Sequence, residues 1–561
     1  YNDITPIRET TAAGAVTFAA VNGSSTLTIT DSNHGASEND FVTFSGAASL
    51  GGVITAAVLN QEYQVSRIVS ANSFEVVARE VASLNDITID GQYTPTPVVA
   101  NGSDTGNGGG SIVGKYQITV GLDTTVSGAG WGAGTWSRGT WGSAANLTAV
   151  GDTLRIWSHD NFGEDLIINV RNGGIYYWDK STSSAPFAPA VALSDLAGAD
   201  PTTPTIAKQV MISDRDRHVI VFGCDAQDNI GVQDPLLIRF SDQENPLVWS
   251  AQATNTAGDL RIGTGSEIIT AVETRQQILV FTDKSLHAMQ YLGPPFTFGI
   301  SMLSENITIA SPLAAIAVDD MVMWMGEQEF YIYSGQVQKL PCSVRSYVFN
   351  DFNQDQAEKV TAAVNSSYSE IWWFYPSATV TNGLMNQNID KYVVYNYQEK
   401  VWYYGNLARS AWIDRGIGQY PIAASLDGYL YYHEFGNDDG SVNPPAGITS
   451  YIESSQMSLG AGDNFVLLSK LIPDVTFDGS SSPSPNVDFT FQTRRFPGSA
   501  YDQTTVSDII RSSTVPVEQF TDQVRLRMRG RSFALKIESD NTGVEWRLGT
   551  PRVELRPDGR R

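Results

Sequence analysis

Apolar and polar positions alternate with a period of two along most of this chain, most clearly in the run from Gln277 to Tyr291, with apolar residues at Ile278, Val280, Leu286, Ala288 and Tyr291. That spacing predicts two half-buried strands across a polar tight turn at Asp283-Lys284. The shape recurs. Leu166–Val170, an Asn172-Gly173-Gly174 turn and Ile175–Trp178 make one copy. Met321–Met325 with Phe330–Tyr333 makes another, Ile371–Tyr375 begins a third, and Tyr392–Tyr397 with Val401–Tyr404 and Ile422–Ser425 with Tyr429–Tyr432 follow. A hairpin repeated in this way predicts an all-β β-propeller, and the region 151–440 accommodates about six or seven four-stranded blades, regular or irregular. Aromatic clusters close most copies, among them Tyr176-Tyr177-Trp178, Phe330-Tyr331-Ile332-Tyr333 and Trp402-Tyr403-Tyr404, and are read as packing between blades.

On either side of the repeats the rhythm changes. Residues 1–92 read as a small N-terminal β module, with strands at Val16–Ala20, Leu27–Thr30, Phe41–Phe44, Tyr63–Val65 and Phe74–Val77. Residues 93–150 read as a Gly/Trp-rich insertion in which Trp131, Trp136 and Trp141 stand five apart. Odd spacing puts neighbouring rings on opposite faces of a strand, so these residues predict a loop packed against a neighbouring subunit or folded onto its own domain, rather than one flat stacking platform. Residues 441–561 read as a C-terminal β domain that ends in a hairpin, Val524–Arg529 and Phe533–Glu538, turning at Gly530-Arg531. Its Arg525, Arg527 and Arg529 share one face, opposite Val524, Leu526 and Met528. That stripe predicts surface ion pairs or contact with an acidic neighbouring subunit.

Composition supports the β reading: of 561 residues 50 are Gly, 10% are aromatic and only 17% charged, which suits a turn-rich globular chain of three or four domains. A chain opening on Tyr1 is expected to be a fragment or to have lost its start. No apolar run is long enough to span a membrane. Cys224 and Cys342 are too few and too far apart for a disulfide framework or a zinc site, and predict reduced, buried thiols in a chain made in a reducing cytoplasm. The net charge of −24 is uneven. Residues 1–150 carry 5 basic and 12 acidic side chains, residues 151–440 carry 17 and 34, and residues 441–561 carry 14 of each. An acidic body disfavours tight DNA binding, which depends on Lys and Arg neutralising phosphates.

Motifs that would carry chemistry fail on their own terms. Gly109-Gly110-Ser111-Ile112-Val113-Gly114-Lys115-Tyr116 has the glycine and lysine spacing of a phosphate loop, yet Tyr116 replaces the magnesium-binding hydroxyl and Gln117–Val120 reads as a strand where a helix should open. His34 reads as a turn residue, and none of His34, His159, His218, His287 and His433 stands at metal-ligand spacing or beside a nucleophile motif. Ser425-Leu426-Asp427-Gly428-Tyr429 departs from the sialidase box, and Asn437-Asp438-Asp439-Gly440-Ser441 lacks the further oxygen ligands of a calcium loop. No catalytic, cofactor-binding or metal residue is therefore assigned, and no cofactor is expected.

The passage Ser539–Gly549, continuing from Thr550 to Arg561, resembles the end of the tail nozzle proteins of short-tailed bacteriophages, also described as tail tubular protein B or packaged-DNA stabilisation proteins. The segment Phe240–Trp249, the run Ile278–Tyr291 followed by Pro294-Pro295-Phe296, and the opening Asp3–Arg8 are similar to the same family. This resemblance implies a non-enzymatic virion protein, made and assembled in the host cytoplasm. It implies a homo-hexamer that continues the DNA channel below the portal and adaptor, with the propeller outside. Such a tube would pass double-stranded DNA, retain it behind a gate, and dock tail fibres or tailspikes. The family has no residue motif that would assign channel or gate positions here. The competing reading is a β-propeller glycan-binding protein or glycosidase, using the Trp-rich loop or a blade face.

Overall fold

A computed structural model describes residues 3–81, 96–122, 154–181, 188–381, 383–416, 418–458, 462–494 and 511–559. The described chain is all-β, built almost wholly from antiparallel sheets, with only short helical turns such as Ala56–Leu59 and Arg345–Asp351. It divides into two compact units, 1–415 with 424–429, and 416–423 with 430–561.

The first unit opens on a seven-stranded sheet in the order Ile7–Thr10, Val113–Gln117, Phe41–Ser45, Glu62–Ser70, Ser73–Val77, Thr26–Thr30 and Thr17–Ala20. The five strands read from alternation in residues 1–92 are all present. The sheet also reaches beyond residue 92, into the stretch read as a separate insertion, and takes up Val113–Gln117 between Ile7–Thr10 and Phe41–Ser45. Gly114 packs there against Phe44, Tyr116 and Val16. Trp131, Trp136 and Trp141 lie outside the described residues.

Five four-stranded antiparallel sheets follow in succession. They comprise Trp157–Phe162 to Val191–Ala192; Gln209–Ile212, Val219–Phe222, Leu237–Phe240 and Gly258–Arg261; Ile268–Glu273 to Thr297–Glu305; Ala315–Val318 to Val337–Lys339; and Thr361–Asn365, Glu370–Pro376, Ile389–Asn396 and Val401–Asn406. Three of the predicted hairpins are central pairs of these sheets, whereas Tyr392–Tyr397 with Val401–Tyr404 falls at the outer edge of the fifth. Ile278–Thr282 pairs with Ser285–Gly293, and Met321–Met325 pairs with Phe330–Tyr333. The last copy appears as Ile422–Ala424 and Leu430–Tyr432.

The first strands of the first and second sheets pack together, as do those of the third, fourth and fifth, while the second sheet meets the third through Val219–Phe222, a succession consistent with propeller blades. Side chains fasten these joints. Ser158 Oγ and Asp160 Oδ2 accept from the N–H groups of Val210 (3.0 Å) and Ile212 (2.9 Å), on the edge of that strand away from Val219–Phe222. The amide of Gln209 spans to the third sheet, where Oε1 accepts from Ala271 N (2.7 Å) and Nε2 donates to Ala271 O (2.8 Å). Aromatic rings fill the space between sheets. Phe281 meets Trp324 edge-on with centroids 5.0 Å apart, and Phe330 meets Trp373 at 4.9 Å. Packing is thus the role of most of the terminal aromatics. The last copy differs, for Leu430 and Tyr432 are exposed.

The second unit is a two-layer β-sandwich. One layer runs Ser450–Glu453, Ser532–Ser539, Asn486–Arg494 and Arg511–Glu518, with Met457–Ser458 also on Ser532–Ser539. The other layer runs Val524–Gly530, Val466–Ile472 and Arg552–Pro557. Val466, Leu468, Phe489, Phe491, Leu526 and Ile537 are among the residues that fill the core between them. The expected hairpin at Gly530-Arg531 does not form. Val524–Gly530 pairs with Val466–Ile472, whereas Ser532–Ser539 pairs with Asn486–Arg494 in the opposite layer. At the crossing, a Cβ on Gly530 would approach Thr493 Cβ to 2.8 Å and the carbonyl oxygens of Arg494 and Ser532 to 3.1 and 3.2 Å. The glycine therefore serves close passage between layers rather than a tight turn.

Candidate functional site

Lys115 stands in the strand Val113–Gln117, opposite Thr10 and Thr43, and the neighbouring Tyr116 is buried with its hydroxyl donating to Asp31 (2.7 Å). Strand geometry here turns no row of amides toward a phosphate, so the failed loop motif is a sheet segment. His34 is a structural turn residue as expected. Its Nδ1 accepts from Ala36 N, its Nε2 contacts Ser70 O, and its ring meets Phe74. Cys224 and Cys342 are free, and burial pushes both thiols up, Cys342 to about 11.

Asp283 and His287, close together in the opening hairpin, do not meet. Asp283 accepts from the backbone and hydroxyl of Ser266. His287 instead contacts Ser285 Oγ at 2.9 Å, and that hydroxyl contacts Thr282 Oγ1 at 2.7 Å. All three side chains of this serine–histidine chain are buried, so no substrate carbonyl can reach the hydroxyl. His218 is fully buried among Phe240, Tyr291 and Phe298, which lowers its affinity for a proton.

One feature was not visible in the sequence, and a second was visible only as the stripe of Arg525, Arg527 and Arg529. At the end of the first strands of neighbouring sheets, Asp160, Asp214, Asp216 and Glu273 come together. Burial, then the nearby Asp214 carboxylate, pushes the Glu273 carboxyl up to about 7, against the pull of the Asp214 N–H that donates to it at 3.2 Å. The adjoining recess, lined by Arg215, Asp216, Glu273 and Tyr291, holds about 20 Å³, room for one water and not for a sugar. Among the described residues no group of three or more metal-ligating side chains could hold an ion.

The second feature is the outer face of the sandwich sheet formed by Val524–Gly530, Val466–Ile472 and Arg552–Pro557. Val524, Leu526 and Met528 point into the core, while Arg525 and Arg527 are exposed and Arg529 is half-buried, as alternation required. Register sets Arg525 opposite Lys470, and Lys470 opposite Glu554. Arg529 and Arg556 flank Leu467. Ion pairs join Arg529 to Asp558 and Arg556 to Glu554 (2.6 Å), and the Arg529 guanidinium lies 4.3 Å from the Phe465 ring centre.

The structure thus defines an all-β protein with stacked four-stranded sheets and a separate sandwich. No protein-family model matches the chain, and no characterised protein matches it in sequence. Among solved structures it is similar over 50% of its length to 72% of Hsv2 from Kluyvelomyces marxianus, at 9% identity and a TM-score of 0.29. It matches the extracellular domain of a one-component system from B. thetaiotaomicron at 11% identity and a TM-score of 0.32, covering 50% of this chain and 32% of that one. The phage phi92 endosialidase is matched over 77% of this chain and 58% of its own, at 10% identity and a TM-score of 0.19. Likenesses at this level carry no functional argument. No helix among the described residues is long and apolar enough to cross a membrane.

Proposed function

We propose that this chain is a structural virion protein: one subunit of a homo-hexameric tail nozzle that continues the DNA channel below the portal and adaptor. It retains packaged DNA and offers docking surfaces to tail fibres or spikes. The reading rests on the family-like passages at both ends and in the middle of the sequence. Those passages occupy supporting positions. Phe240 is buried in the second sheet and Trp249 in the connection that follows it, Ile278–Thr282 is wholly buried in the third sheet, and Arg552–Pro557 is a strand of the sandwich. Large apolar side chains left open to solvent also suit a subunit of an assembly. Tyr451 and Ile452 are 50% and 51% exposed on an edge strand, so both faces of that strand await cover. Mass measurement of the full chain, alone and with an adaptor ring, tests the proposal. A six-fold ring is expected, and removal of residues 525–561 is expected to abolish it while the propeller sheets stay folded. A chain that stays monomeric in both conditions would sink the reading.

A further inference from the structure

The basic sheet face of the sandwich has no internal reason to be basic. Six cations, Lys470, Arg525, Arg527, Arg529, Arg552 and Arg556, share it with two carboxylates, Glu554 and Asp558. Like charges directly opposite on neighbouring strands destabilise a sheet, and Arg525 faces Lys470. Arg525, Arg527 and Arg552 form no ion pair among the described residues, and both carboxylates of the face are engaged by Arg529 and Arg556. Ile472 is 38% exposed opposite Arg552, and Leu467 is half-buried between two arginines, so apolar surface is interleaved with the charge. Arginine around exposed aliphatic groups is the composition of a protein interface.

What covers this face must be acidic. The repeat region carries the matching excess, with 17 basic against 34 acidic side chains. Duplex DNA fits less well, because Glu554 and Asp558 would stand against its phosphates on a face only three strands wide. We infer that the outer face of the Val524–Gly530, Val466–Ile472, Arg552–Pro557 sheet is a subunit interface that seats the acidic repeat region of a second copy of this chain. The inference rests on the proposed oligomer and names the surface that builds it.

The test is the solution mass of the full chain, alone and on an adaptor ring, for the wild type and for Arg525→Glu/Arg527→Glu, at low and high salt. Both arginines are exposed, so the variant should keep the wild-type melting temperature and circular dichroism. Assembly of the wild type, weakened by salt and at least about tenfold weaker in the folded variant, is the expected result. If the variant unfolds, Arg525→Gln/Arg527→Gln replaces it with the same expectation. A ring that forms undiminished in the folded variant overturns the arginine assignment and leaves the nozzle reading standing. A wild type that never assembles overturns both. Duplex DNA retained at physiological salt by the wild type and released by the variant gives the face to nucleic acid and overturns the inference as well.

Discussion

Arg239 shows how a charged side chain can hold a β-sheet together from inside. It is 1% exposed, with Nη1 and Nη2 donating to the carbonyls of Asp225 (3.2 Å) and Thr202 (2.6 Å), and its guanidinium lies over Trp249. The Asp225 carboxylate is in turn buried against Thr205 and Gly231 amides. Replacing Arg239 with Met strands two buried carbonyls, and the expected cost is about 3 kcal/mol, read from the urea midpoint. Glu273 makes a pH-dependent statement. Its folded proton affinity lies above the unfolded value of 4.5, reaching about 7, so the folded state holds a proton that the unfolded chain has lost. Stability from this group is complete below about pH 4.5 and falls as pH rises to 7. Glu273→Gln should therefore raise the melting temperature at pH 8 and leave it nearly unchanged at pH 4.5. An equal shift at both values would refute the assignment. Neither role was legible beforehand. Arg239 stands in a run that reads as strand and signature, and the carboxylates around Glu273 come from residues more than fifty positions away.

At the scale of elements, alternation told which residues face a core but not which strand lies alongside. Ile278–Thr282 and Ser285–Gly293 were readable because a two-residue turn leaves the second strand nowhere else to go. The same logic misled at Gly530-Arg531, where both strands are correct and their partnership is not. The sandwich core draws Val524, Leu526 and Met528 from one layer and Phe533, Leu535 and Ile537 from the other. A chain that leaves one layer and enters its opposite gives the same alternating signal as a hairpin. Gly530→Val should expose the difference. In a hairpin turn a valine would be strained only locally; between layers it collides with Thr493 and two carbonyl oxygens. Loss of about 3 kcal/mol, seen as early proteolysis within residues 430–561 while the first unit resists, is the expected outcome. Val113–Gln117 was missed for a related reason. Its partners, Ile7–Thr10 and Phe41–Ser45, lie about 70 to 100 residues upstream, and no local pattern reports a pairing at that distance.

For the whole molecule, charge is the property that sequence conveys best. A net charge of −24 with a predominantly acidic repeat region predicts negligible affinity for duplex DNA at physiological salt. Micromolar binding with a steep salt dependence would contradict it, by fluorescence anisotropy of a labelled duplex. What sequence could not convey was where the acids and bases gather, because that depends on which strand ends meet and which sheet face stays open. The joints between sheets have a further consequence. The ladder within each blade is made of main chain, but Ser158, Asp160 and Gln209 fasten one blade to the next with single side chains. Such couplings are portable. An extra blade could be copied into the gene, or one deleted, provided that each new seam offers a short polar side chain to the exposed amides of its neighbour. The number of stacked sheets can thus change by duplication while the main-chain ladder inside each sheet stays as it is.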